Sequence, residues 1–373
     1  MKKNWIVLSG VVLGFALSSP QSALSWGDMG HQIVGEVADQ TVNQSTREFL
    51  RGVIGVEPLS VAAIWPDHVR DSSDFGHKDP DPAKRDEDDH DFGNFHFCEI
   101  ATGYDYKTNP VRAAKDCHGA VVNAVELLKD TTGKYKREEK MLALRYMIHV
   151  MGDIHQPLHV GNGHDLGGNA CQVVWKKGVK DSGIPMNLHS FWDETLVQYL
   201  GESYADSTAT PKRQGARYLG QYMENLKRRY PTWFTNQSKL DNSKGDVDQW
   251  LLESQALREN GLYPDDPSQM AGVPRGEEYK NRPYCDWFVD QNKGIKGPGS
   301  SIDRSKIPVL DKAYADRFTS MIETQMIKGG LRLAATLDQV ADAVSKSRQK
   351  STPIDDAAKD AILKAVQDAL RNK

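Results

Sequence analysis

Apolar residues recur every three or four positions through much of this chain, and strict alternation is rare, so the pattern predicts helices rather than sheets. Ile33, Val34, Val37 and Ala38 mark one stripe over 29–41, and Ala120, Val121, Ala124, Val125 and Leu128 another within 111–129. The same period predicts helices over 138–152, 188–200, 211–229, 246–259 and 312–344. One stretch departs from it: the glycine-rich segment 163–182 contains CQVVW, a β-prone insert suited to a small hairpin. Residues 71–95 are rich in Asp, Pro and Gly with few apolar anchors, which predicts a loop, and His77 and His90 within it read as surface groups. After Val344 the run SKSRQKSTP has linker composition, and 354–370 then regains an amphipathic period through Ile362, Leu363, Val366 and Leu370. Asp355, Asp356, Asp360 and Asp368 set that tail against an anionic membrane surface and favour packing on the core or on a partner. The expected class is mainly α: one helical domain over 26–344, with a linker and amphipathic helix over 345–373.

The first 25 residues change the expected location. Lys2 and Lys3 precede an apolar run from Trp5 to Leu17, and Ala23 and Ser25 suit cleavage before Trp26. That is the pattern of a secretory signal, too short for a bilayer span, so the mature protein is expected to be soluble and periplasmic or secreted, with no membrane span. Its four cysteines, Cys98, Cys117, Cys171 and Cys285, then meet an oxidising compartment, and one or two disulfides are expected among three possible connectivities. The formal charge of −4 is no footprint for a protein that grips polyanions with a basic face. A phosphodiester substrate would need its positive field from metal.

Candidate chemistry concentrates in two helices. His149 and Asp153 stand four residues apart in HVMGD, and His189 and Asp193 repeat the interval in HSFWD. Four residues is just over one helical turn, so each pair projects from one face toward a shared point. Nitrogen and oxygen donors without thiolate suit Zn²⁺ in a catalytic site. Pro157 perturbs the helix after Asp153, so His159 points elsewhere and can serve another ion, whereas His155 leaves the opposite side and reads as a core residue or as a support behind the ligands. Upstream, IWPDHVR offers Asp67 as a ligand one turn before Arg70, whose guanidinium suits a phosphate oxygen. His96 lies between Phe95 and Phe97. In WGDMGH, cleavage before Trp26 would free an amine that, with the same residue's carbonyl, chelates a metal beside His31.

The ordered set WGDMGH, WPDHVR, FHF, HVMGDIHQPLH, GGN and NLHSFWD resembles the zinc-dependent single-strand nucleases of fungi and bacteria and the bifunctional nucleases of plants. The likeness runs from Trp26 to about Ala341. It implies a helical phospholipase C/nuclease-like fold and three Zn²⁺. Asp67, His96, His149 and Asp153 would hold one ion, and the Trp26 amine and carbonyl with His31 and Asp153 a second. His159, His189 and Asp193 would hold the third. Asp67, Asp153 and Arg70 form the implied catalytic set, with Arg70 also touching the phosphate and Phe97 stacking on a base. Glu99 stands where the family usually carries Asp, and the interval between Asp67 and His96 is longer than in the fungal enzymes. The implied activity is endonucleolytic cleavage of single-stranded DNA and RNA to 5′-phosphates, with removal of the 3′-phosphate from 3′-nucleotides.

The nearest rival is a zinc phospholipase C, which has a similar trinuclear site and also begins its mature chain with Trp. The GDIHQPLH and NLHSFWD wording favours the nuclease. A catalytically silent zinc-binding protein is disfavoured because every ligand position of the family is filled.

Overall fold

Helix α1 (Asp28–Thr41) buries the stripe Ile33, Val34, Val37 and Ala38 that its spacing foretells, and the two long core helices lie across it. These are α6 (Arg137–Asp153) and α12 (Lys312–Ser351). The computed structural model describes residues 26–69, 92–111, 115–204, 215–235, 245–265, 270, 273, 276–277, 282–292 and 306–351. Around the three helices pack α2 (Gln44–Ile54), α3 (Leu59–Ala62), α4 (Trp65–Val69), α5 (Cys117–Lys129), α7 (Leu188–Ser190), α8 (Leu196–Tyr204), α9 (Gly215–Arg229), α10 (Val247–Glu259) and α11 (Tyr284–Gln291). One contiguous apolar core joins them, so the described chain is a mainly α single domain. No single helix among the described residues is long and apolar enough to cross a membrane. The expected signal sequence, Arg70, His77, His90 and the amphipathic tail lie outside the described residues.

Local chemistry sets several boundaries that periodicity leaves open. Helix α5 begins at Cys117 rather than near Val111, because the Asp116 carboxylate caps it by accepting from Gly119 N–H and also accepts from the Tyr106 hydroxyl at 2.7 Å. At the far end, α12 continues to Ser351 through residues whose composition predicts a linker. Lys, Arg and Gln there are good helix formers, and Pro353 is the first strong breaker.

Strands are few and short. β3 (Gln172–Trp175) pairs antiparallel with β4 (Ile184–Asn187), Val173 opposite Met186. The hairpin partner therefore lies just beyond the glycine-rich segment, and β5 (Val309–Leu310) adds a parallel third strand, Val174 opposite Val309. A separate parallel pair joins β1 (Cys98–Glu99) to β2 (Val160–Gly161), Cys98 opposite Val160. This pair matters for the site, since each strand directly follows a segment carrying a candidate ligand. Disulfides Cys98–Cys117 and Cys171–Cys285 resolve the connectivity. The first ties β1 to the start of α5, and the second ties β3's leading edge to α11.

Candidate metal centre

Four elements deliver the first group of side chains to one point inside the protein. Helix α1 brings His31, α4 brings Asp67, the 3₁₀ turn Phe92–His96 brings His96, and the last turns of α6 bring His149 and Asp153. All are buried, Asp67 being 6 % exposed. The Asp153 carboxylate divides its two oxygens: Oδ2 lies 3.3 Å from both His96 Nδ1 and His149 Nε2, while Oδ1 lies 3.3 Å from His31 Nε2. Asp67 Oδ1 is 3.7 Å from His96 Nδ1 and from His149 Nε2. The rings of His31 and His149 stack at 3.8 Å. That packing needs Gly152, because a Cβ there would lie 2.7 Å from His31 Nδ1.

Donor and acceptor bookkeeping shows what this group lacks. His149 Nδ1 lies 2.6 Å from the Ala63 carbonyl, which only accepts, so Nδ1 carries the proton and Nε2 of the neutral ring presents a lone pair. That lone pair faces His96 Nδ1 at 2.9 Å and the carboxylates of Asp67 and Asp153. Neither Asp153 oxygen has a hydrogen bond among the described residues. Burying charge without a partner costs several kcal/mol, on the order of the stability of a whole domain. A divalent cation at the point of convergence satisfies every one of these acceptors, so the residues fit a metal. Burial pushes the His149 imidazole well below its ordinary value, with Asp153 pulling the other way.

The second group repeats the logic a few ångströms along the chain. Pro157 opens the 3₁₀ turn Pro157–His159, and His159 Nδ1 donates to the His96 carbonyl at 2.7 Å, leaving Nε2 aimed at Asp193 Oδ1, 3.6 Å away. His189 Nδ1 donates to the Gly167 carbonyl at 2.7 Å, leaving Nε2 against Asp193 Oδ2 at 2.9 Å. Two acceptors at that distance require a proton or a cation between them. In the protein alone, burial lowers His159, but Asp153 and Asp193 overcome it and raise the ring to about 9. Burial raises Asp193, but His189 and His159 outweigh it and bring the carboxyl down to about 2. The His189–Asp193 interval passes through a π turn, Phe191–Thr195, in which Leu196 N–H donates to the Phe191 carbonyl. Gly167 has φ +60°, and a Cβ on it would run into the Leu158 carbonyl, so only glycine presents that oxygen to His189.

Three groups of ligand atoms result: His31, His149 and Asp153; Asp67, His96 and His149; and His159, His189 and Asp193, the atoms within each lying no more than 4.8 Å apart. Sequence spacing misses Gln156, which donates from Nε2 to Asp193 Oδ1 at 2.6 Å while its Oε1 accepts from Leu158 N–H. Its neighbour His155 turns away from these groups, toward the Met151 carbonyl and Arg332, as its position relative to Asp153 predicts.

At the rim, the Phe97 ring is half-buried and stacks on His159 with centroids 5.1 Å apart and planes 21° apart. The β1–β2 pair and Cys98–Cys117 fix it there, with Cys117 N–H donating to the Phe97 carbonyl at 3.0 Å. Glu99, half-buried, is pushed above its ordinary value by burial and by Asp165. The Trp26 indole is buried, and its N–H donates to the Gly152 carbonyl at 2.8 Å, one residue before Asp153. Arg70, which follows the described end of α4, is not placed.

A mainly α domain with three buried His/Asp groups able to hold metal ions is a metallohydrolase architecture. The S1/P1 Nuclease family matches residues 26–342. The chain belongs to that family and is a nuclease of the S1/P1 type. It is 24 % identical to Nuclease S1 of Aspergillus oryzae, across 88 % of this chain and 96 % of that protein. It is also 26 % identical to Endonuclease 3 of Arabidopsis thaliana, across 87 % and 92 %, and 25 % identical to Nuclease P1 of Penicillium citrinum, across 84 % and 97 %.

Proposed function

We propose that the protein is an exported zinc-dependent endonuclease that hydrolyses single-stranded DNA and RNA to 5′-phosphate products and removes the phosphate from 3′-nucleotides. The observation that supports this most directly is the half-buried Phe97 ring stacked on His159, at the mouth of three buried acceptor groups. Bound Zn²⁺ supplies hydroxide near neutral pH and positive charge for the phosphoryl oxygens. Asp67, His96, His149 and Asp153 would hold one ion. His31 and Asp153 with the amine and carbonyl of Trp26 would hold a second, and His159, His189 and Asp193 the third. Asp153, whose two oxygens face different imidazoles, would serve the first two.

The chain's own contribution is placement. Phe97 stacks on a base and so sets the adjoining phosphate over the ions, a contact that tolerates any sequence. A base in a duplex must first leave its stack, at a cost of a few kcal/mol, which favours single strands. Arg70 holds a phosphoryl oxygen as charge builds during displacement of the 3′-oxygen. Removal of residues 1–25 frees the Trp26 amine, so activity follows export, and the two disulfides suit that compartment.

The test is to purify the processed protein, measure its zinc, and assay single-stranded and duplex oligonucleotides beside phosphatidylcholine vesicles. About three zincs and chelator-sensitive cleavage of the single strand to 5′-phosphate ends are expected. Lipid cleavage without DNA cleavage would overturn the proposal in favour of a phospholipase C.

A further inference from the structure

The turn 154–156 joins Asp153, which faces the first two groups, to His159, which belongs to the third, and two distant helices grip it. Ser254 on α10 donates from Oγ to the Ile154 carbonyl at 2.5 Å. Gln325 on α12 donates from Nε2 to the His155 carbonyl at 3.2 Å. The His155 ring is held at both nitrogens: Nδ1 donates to the Met151 carbonyl at 2.7 Å, and Nε2 accepts from Arg332 Nη1 at 2.9 Å. A guanidinium only donates and a carbonyl only accepts, so one neutral tautomer fits. Arg332 spends its other arm on Glu253, with Nη2 2.8 Å from both carboxylate oxygens, and lies over the Trp250 ring at 5.3 Å. Ser254, His155, Gln325 and Arg332 are 0 %, 0 %, 1 % and 4 % exposed. The next residue, Gln156, reaches the opposite way to Asp193.

We propose that Arg332 is a positioning residue: with Ser254 and Gln325 it clamps the 154–156 turn and so sets the third ion site in register with the pair that shares Asp153. The proposal rests on the metal assignment above, but its effect is read on ion binding as well as on turnover. Outer partners that orient ligands typically contribute about 10- to 100-fold in metal affinity or activity. A strap that crosses from α12 to α10 through His155 belongs in that class although it touches no ligand.

The experiment compares wild-type zinc-loaded enzyme with Arg332→Met, which keeps the stem and removes the donors, and with Ser254→Ala, which removes a single hydrogen bond. Leu226→Ala, a buried site on α9, serves as a stability control. For Arg332→Met, kcat falls about 10-fold or more while KM for a single-stranded oligonucleotide stays within about twofold. Zinc held after dialysis against limiting metal drops from about three toward two, whereas Leu226→Ala loses Tm without losing zinc. Ser254→Ala shifts the same quantities in the same direction by a smaller factor, and decides the matter if Arg332→Met does not fold. Unchanged zinc retention and kcat in either clamp variant, or an equal loss in the control, would overturn the clamp. An inactive wild type that still binds zinc would instead count against the nuclease activity, leaving the zinc-retention comparison to judge the clamp.

Discussion

Two buried polar groups flank the turn after α6, and they differ in how donors and acceptors balance. On the His155 side every polar atom named has its complement: ring to carbonyl, guanidinium to ring, guanidinium to carboxylate. On the His149 and His159 side, both oxygens of Asp153 and Oδ2 of Asp193 lie 2.9–3.3 Å from ring nitrogens yet have no hydrogen bond among the described residues. Both groups contain histidines from one eleven-residue stretch, and all three of those rings are buried. A closed hydrogen-bond circuit marks a structural group, whereas an excess of acceptors marks a place for a cation.

The sharpest way to break this comparison is to remove the cations. Chelation is expected to abolish turnover and to lower Tm, because ions that bind only the folded chain stabilise it by about 4 kcal/mol at a thousandfold excess over Kd. Added zinc should restore both. Asp153→Asn removes the carboxylate that faces two groups at once, and a loss of about 10³-fold or more in kcat/KM is expected if it withdraws the several kcal/mol that ions supply to phosphoryl transfer. His149→Ala is expected to act in the same way. An active Asp153→Asn enzyme would mean that the acceptor excess is not the reaction centre.

Next in size is the N-terminus. The Trp26 indole is buried and donates to the Gly152 carbonyl, a side-chain contact that makes no use of cleavage before residue 26. The amine does depend on it. A protein beginning Met-Ala before Trp26 is expected to fold with an unchanged Tm in the chelated state but to lose most of its turnover and about one zinc, as read by metal analysis. Full turnover with the extension in place would remove Trp26 from the ligand set.

Much of the acceptor-rich side was legible from spacing, because residues four apart share one face of a helix and Pro157 redirects the chain after Asp153. The supports were not. Ala63, His96 and Gly167 fix three imidazoles through backbone carbonyls, and a carbonyl leaves no mark in a sequence. Nor does spacing distinguish an α turn from the π turn that carries Asp193. Gly167 offered a signal in the GGN motif, but its meaning, a backbone oxygen exposed by a left-handed residue, needs the fold. The pairing of Cys98 with Cys117 is likewise a tertiary fact, and Ser351 rather than Val344 closes α12 because propensity outweighed composition.

Phe97 sharpens the comparison at the rim, where the acceptor group meets solvent. Phe97→Leu keeps an apolar cover over His159 but removes the flat face offered to a base. Loss of one stack, about 1–3 kcal/mol, is expected to raise KM for single-stranded substrate roughly tenfold with kcat and zinc content nearly unchanged. A fall in zinc content instead would make the ring a support for His159 rather than a contact for substrate.

The smallest expected effect falls on a histidine that imitates the site. His118 Nε2 lies 2.9 Å from Asp248 Oδ1, as close as His189 lies to Asp193, and its ring stacks on Tyr106 at 4.3 Å. Distance alone would class the two pairs together. Yet Lys107 Nζ lies 2.9 Å from the other oxygen of Asp248, and the His118 and Asp248 side chains remain 21 % and 22 % exposed, so a lysine supplies positive charge beside this carboxylate. Pairs of this kind contribute about 0–1 kcal/mol. His118→Gln is therefore expected to shift stability by less than about 1 kcal/mol in a denaturant titration and to leave zinc content and turnover at wild-type values. Loss of an equivalent of zinc from this variant would show that close His/Asp pairing, not the missing donor, is what selects the ion sites.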